Sequence, residues 1–170
     1  LTRGTLASLQ KHATRPKDAD SGDATPYGHA LEALIVDTCD EIAYNNHDID
    51  DGLESGHLQL AMLEEVELWR LHFAAVGKMH ANVKPKIRIR ATIRAMINEM
   101  VSNLIENSRA MIGQSGVKSF ADVLAYNSNA ENPPLIAFSP EMDARVKQLK
   151  QFLFKNLYRH ADVVRMNERA

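Results

Sequence analysis

Leu31 to Leu53 reads LEALIVDTCDEIAYNNHDIDDGL, and the period of its apolar residues decides the fold. Set on a wheel at about 100° per residue, Leu31, Ile35, Ile42, Ile49 and Leu53 gather on one side. Asp37, Asp40, Tyr44, His47, Asp48 and Asp51 gather on the other. A strand would alternate every second residue, and this stretch does not. It predicts one long amphipathic helix over residues 29–53, stopped by the GLESG that follows.

The flanking sequence extends the pattern. A short helix over residues 1–12 precedes ATRPKDADSGDATPYG, whose Pro, Gly, Asp and Ser content predicts an exposed mobile loop over residues 13–28. LQLAMLEEVELWRLHFAAVGKM is helical with a break near residues 65–67. Pro85 opens a helix through residue 111 that ends at GQSG, because the missing N–H of proline costs least in a first turn. Ser119 and Asp122 cap a short helix in SFADVLAYN, and Ser139 before Pro140 caps the last one, which bends near His160. There is no internal repeat. The expected architecture is all-α, a multi-helix bundle.

Composition agrees. The 170 residues are 45% apolar, 25% charged and only 6% aromatic, with seven Met, which suits helix packing. A single cysteine, Cys39, excludes a disulfide framework and a Cys-rich zinc site; beside Asp40 it reads as a small core residue with no helper for nucleophilic work. Trp69 and Phe73 read as packing residues. No stretch approaches the ~20 apolar residues of a membrane span. The start LTRGTLASLQKH has neither a signal-peptide core nor an initiator Met, so a cytoplasmic protein, cut from a longer one, is expected.

The net charge of −2 hides an asymmetry. From Asp18 to Trp69 there are fourteen acidic residues and no Lys or Arg; from Arg70 onward there are sixteen basic residues against eight acidic. Either the two segments attract each other within a bundle, or each attracts its own ligand.

The acidic face carries the chemistry. Solvated helix faces ordinarily mix Glu with Lys or Arg at i,i+4, whereas this one has no cation and uses Asp, Asn and His, mediocre helix formers. Stacked carboxylates repel unless a cation or a hydrogen-bonding ligand lies between them, which points to a divalent ion or a hydroxyl-rich ligand. An EF-hand is excluded: with Asn46, Asp48 and Asp50 as first ligands, Gly would be needed at Asp51 and Glu at His57. Asp40 and Asp48 are about 12 Å apart along the axis, too far for one ion, so Asp40 would need ligands from elsewhere.

A second stripe is basic. In KPKIRIRATIR, Lys86, Arg90 and Arg94 follow at i, i+4, i+8, with Lys86 and Arg90 flanking a seam of Ile89, Ile93, Ile97 and Met100. Two readings stay open: Lys86 and Arg90 bind the phosphates of a substrate, or they form a solvated face that pairs with the acidic helix. Tyr158 and Arg159 in LYRH are candidates for an allosteric nucleotide or subunit contact, against a core Tyr beside a surface Arg.

Three segments together resemble the deoxyguanosine triphosphate triphosphohydrolase-like proteins of the HD-domain superfamily: LEALIVDTCDEIAYNNHDIDDGL, PKIRIRATIRAMINEMVSNLIENS and LKQFLFKNLYRHADVVRMNERA. The resemblance covers all 170 residues but only the C-terminal half or so of such a protein. It implies an HD-domain-like bundle in which deoxynucleoside triphosphates are hydrolysed to deoxynucleoside and triphosphate with a divalent metal such as Mg, Mn or similar. It implies Asp40 as the last metal ligand, Tyr44 at the phosphate or sugar, and Asp48 accepting from the sugar 3′-hydroxyl. His47–Asp48 is then not the His-Asp pair that names the superfamily. That pair, the first His ligand and the catalytic acid/base residues do not occur in this chain and are expected upstream of Leu1, so the chain is expected to be inactive alone. Assembly into homo-oligomers and nucleic acid as a regulator belong to the same expectation. Two rivals remain: a superfamily phosphohydrolase of another nucleotide, and a non-enzymatic helical module whose charged segments dock a partner.

Overall fold

The computed structural model describes residues 30–79 and 83–158. The expected helix over residues 1–12, with Leu1 at its start, the loop over 13–28, Arg159 and the bend near His160 lie outside the described residues. Within them are α1 (Leu31–Glu54), α2 (Leu60–Leu63), α3 (Glu67–Met79), α4 (Pro85–Ser115), α5 (Phe120–Asn127) and α6 (Pro140–Leu153). A π-helical turn, Phe154–Tyr158, follows α6, and no strand occurs among the described residues. The chain is all-α.

The stops are local chemistry. Gly56 and Gly116 take positive φ of 78° and 76° just past α1 and α4, the left-handed conformation that ends helices. Gly113 is exposed and stays helical, so α4 runs beyond residue 111 to Ser115. α5 begins with a capping box: Ser119 accepts from the Asp122 N–H, while the Asp122 carboxylate takes the Ser119 N–H at 2.9 Å. The Lys118 N–H, then the Ser119 hydroxyl, hold the Asp122 carboxyl below the usual range.

The described residues form two compact units. One comprises residues 30–39 and 104–137. In it, Leu135 is fully buried, Val123 nearly so, and Asn107 and Ser108 bond the backbone of Ala137 at 2.9 and 3.2 Å.

The other unit comprises residues 40–79, 83–103 and 138–158. Its core joins Ile42 and Ile49 of α1, Leu63 of α2, Leu68 and Trp69 of α3, Met96 and Met100 of α4, and Leu149 and Leu153 of α6, all under 5% exposed. Trp69 and Phe73 stack at 5.4 Å, with the Arg88 guanidinium 3.7 Å above the Phe73 ring, so both pack as expected. The break at residues 64–66 is closed by α6: Gln148 accepts from the Glu67 N–H at 3.0 Å and donates to the Glu65 carbonyl at 3.1 Å. Ser139 caps α6 and is itself fixed by Asn103, which donates to its hydroxyl and accepts from its N–H, each at 2.9 Å.

Three expectations are corrected. Of the apolar face of α1, Ile42 and Ile49 are buried, but Ile35 is 42% exposed; the periodic stripe continues past the stretch that finds packed neighbours. Cys39 is exposed, not core, because it stands off the Ile42–Ile49 direction on the wheel. In the first half of α4 the buried positions are Thr92, Met96 and Met100, with Ile89, Ile93 and Ile97 only half-buried beside them. Thr92 enters the interior because its hydroxyl donates to the Arg88 carbonyl at 2.9 Å.

Candidate functional site

Asp40, Tyr44 and Asp48 follow one another every four residues on α1, so they form one edge of the helix. Burial of Ile42 and Ile49 on the opposite side turns that edge outward. Asp40 is exposed, Tyr44 is 69% exposed and Asp48 is half-buried. Behind it Asn46 is buried and donates to the Ile42 carbonyl at 2.7 Å. Asn45 Nδ2 and Asn46 Oδ1 are buried without a partner among the described residues.

Asp48 is not alone. The Tyr158 hydroxyl, from the π-helical turn, donates to its Oδ2. Burial, then that hydrogen bond, push the Tyr158 phenol well above its ordinary value, so it stays protonated and remains a donor. His47 turns the other way, to Asp51 at 3.2 Å along the helix.

Cations absent from α1 arrive from neighbouring helices. Lys150 of α6 reaches Glu41 at 3.1 Å, and Lys86 of α4 reaches Glu54 at 2.8 Å. For Lys86 this is pairing with the acidic helix. Glu54 is fourteen residues beyond Asp40, roughly 21 Å along the axis, so phosphates held at Asp40 would lie far from Lys86. Arg90 is exposed one turn further along α4, and its charge adds to that of Lys86 in lowering the Glu54 carboxyl.

A constellation invisible in the sequence joins α3, α4 and α6. The Arg145 guanidinium, 19% exposed, donates to Glu67 at 3.0 Å, Glu99 at 3.4 Å and Glu141 at 2.8 Å. His72 Nε2 faces the second oxygen of Glu99. One cation satisfying three carboxylates from three helices is a structural tie. Its members are separated by up to 78 residues, and no local spacing signals them.

Asp40 offers an exposed carboxylate of the hard-oxygen kind that suits Mg or Mn. Among the described residues, however, no group of three or more His, Cys, Asp or Glu side chains is arranged to hold a metal ion. Asp40 fits as one ligand, and the rest of a coordination sphere is not furnished by these residues. The first His, the His-Asp pair and the acid/base groups expected upstream of Leu1 fall outside the described residues, which begin at residue 30. A cavity of about 210 Å³ in the smaller unit, lined by Leu34, Tyr126, Pro133 and several Asn, contains none of the expected site residues and no charged side chain. No helix among the described residues is long and apolar enough to cross a membrane.

Comparison with known proteins adds two findings. Residues 136–170 match a family described as a phosphohydrolase-associated domain. Curated relatives named deoxyguanosinetriphosphate triphosphohydrolase-like protein match most of the chain. That of Thiobacillus denitrificans is 41% identical, over 83% of this chain and 36% of the relative. That of Ralstonia nicotianae is 41% identical over 100% and 44%, and that of Geobacter sulfurreducens 38% identical over 97% and 42%. The chain thus spans about two fifths of the length of these relatives.

Proposed function

We infer that this chain, which is related to the deoxyguanosinetriphosphate triphosphohydrolase-like proteins at 38–41% identity, belongs to a polypeptide that hydrolyses deoxynucleoside triphosphates to deoxynucleoside and triphosphate. What supports this reading is the outward edge Asp40–Tyr44–Asp48 in a chain so related. Its length, about 12 Å, is comparable to the reach from an α-phosphate to the far side of a deoxyribose.

In this reading Asp40 supplies one ligand to a divalent ion, and the remaining ligands and acid/base groups come from the polypeptide outside these 170 residues. When bound, such an ion polarises a phosphoryl oxygen and makes water a better nucleophile. Water adds at the α-phosphorus and the bond to the 5′-oxygen breaks, so the water oxygen ends in triphosphate and the 5′-oxygen leaves as a hydroxyl. Tyr44, exposed between the two carboxylates, contacts the phosphate or sugar. Asp48 accepts from the 3′-hydroxyl and fixes how far the nucleotide can slide along the helix. This reading sets Lys86 in a pair with Glu54, with the Arg90 charge beside it, and not on the phosphates.

Product analysis tests the reading. The full-length polypeptide, given dGTP with Mg or Mn, is expected to release tripolyphosphate and deoxyguanosine, seen by phosphorus NMR. Release of pyrophosphate or orthophosphate from dGTP, or turnover confined to a different nucleotide class, would overturn it.

A further inference from the structure

Tyr158 reaches Asp48 from a turn in which the chain changes pitch. In α6 the buried side chains Met142, Val146, Leu149 and Leu153 recur at helical spacing. An α-helix continuing past Leu153 would set residue 157 about 40° and residue 158 about 140° from it around the axis. From Phe154 to Tyr158 the turn is π-helical, its i to i+5 hydrogen bonding putting more residues in each turn, so Tyr158 comes round to a different side than an α-helix would give it. Asn156 of the widened turn donates to the Phe152 carbonyl of α6 at 2.9 Å. Such single-turn widenings are uncommon and concentrate at functional positions. Here the outcome is a phenol set on the Asp48 carboxylate, 110 residues away in sequence and within the segment matched to the phosphohydrolase-associated domain.

We propose that Tyr158 is a positioning residue for Asp48: its hydroxyl occupies Oδ2 and fixes the carboxylate, so that Oδ1 is presented as the acceptor for a substrate sugar hydroxyl. This rests on the reading of Asp48 given above. The phenol suits the task. It donates without adding positive charge, and its raised pKa keeps it protonated across the working pH range. A carboxylate at the solvent edge of a helix otherwise rotates freely and shares its oxygens with water. Holding one oxygen removes that freedom before the ligand arrives.

The experiment uses the full-length polypeptide and two substrates, a deoxynucleoside triphosphate and its 2′,3′-dideoxy counterpart, which lacks the hydroxyl in question. KM and kcat are measured for wild type, Asp48→Asn, Tyr158→Phe and the double variant, with thermal melting followed by circular dichroism as a folding control. Tyr158→Phe is expected to raise KM for the deoxy substrate about three- to tenfold, the range of one lost hydrogen bond, and to change the dideoxy substrate less than about twofold. The double variant is expected to be no worse than Asp48→Asn. If Asp48→Asn discriminates between the substrates but Tyr158→Phe affects both equally, affects neither, or lowers KM, Tyr158 does not position Asp48. Equal losses on both substrates for Asp48→Asn would instead remove the sugar-binding reading itself.

Discussion

Lys86 Nζ stands 2.8 Å from Glu54 Oε1, joining the first turn of α4 to the last turn of α1. Both side chains are more than 60% exposed, so the pair is screened by salt and modest in strength. The Lys86 hydrogen bond, then its charge, with a smaller contribution from Arg90, hold the Glu54 carboxyl below its ordinary value. A carboxyl depressed in the folded state adds stability that is present above its unfolded pKa and is lost as pH falls through the lower folded value. NMR titration of Glu54 should therefore give a midpoint below that of an ordinary Glu, returning upward in Lys86→Met or at high salt. Lys86→Met should also leave KM for the triphosphate unchanged within about twofold, as for an exposed pair outside the site.

Arg145 should matter far more than any one of its partners. Arg145→Ala leaves Glu67, Glu99 and Glu141 facing one another without a cation, with an expected cost of about 1–3 kcal/mol after allowing for the partial exposure of the carboxylates. Glu141→Ala removes only an exposed i,i+4 partner and should cost no more than about 0.5 kcal/mol. Urea unfolding of the two variants gives the order directly. Equal effects would show that the three-helix tie is not an energetic unit.

Gly52 presents a conflict between propensity and packing. Alanine in a helix interior is ordinarily favoured over glycine by roughly 0.5–1 kcal/mol. A Cβ at Gly52, though, would lie 2.6 Å from Leu58 Cδ1 and 2.8 Å from Cγ, and Leu58 is 2% exposed. Overpacking of this kind costs about 1–3 kcal/mol, so Gly52→Ala should be net destabilising in a thermal melt.

Ser139→Ala should destabilise by about 1–2 kcal/mol, since it deprives the Met142 N–H of its cap and the Asn103 amide of an acceptor. Ser139→Thr, which keeps the oxygen, should recover most of the loss.

These contacts divide into those written locally and those that are not. Gly56, Gly116, Ser119 and the Ser139–Pro140 pair announce helix ends because capping is settled within four residues of chain. The α1 edge is legible for the same reason: i, i+4 spacing is all that places Asp40, Tyr44 and Asp48 together. The interior of α4 is misread by apolar pattern alone, since Thr92 buries its hydroxyl by bonding within its own helix. Tyr158 on Asp48 and Arg145 on Glu67 are invisible because each pair is set by tertiary packing, and in the first case by a turn that departs from the 3.6-residue period.

Metal affinity of the full-length polypeptide tests the central claim most directly. Mn binding is measured calorimetrically in wild type, Asp40→Ala and, as a control on the same edge, Asp48→Asn. The expected result is affinity weakened at least about tenfold by Asp40→Ala and near wild type in Asp48→Asn, because loss of a direct ligand should cost no less than loss of an outer partner. Unchanged Mn affinity and stoichiometry in Asp40→Ala would contradict the claim and leave α1 as a charged face that only pairs with its neighbours.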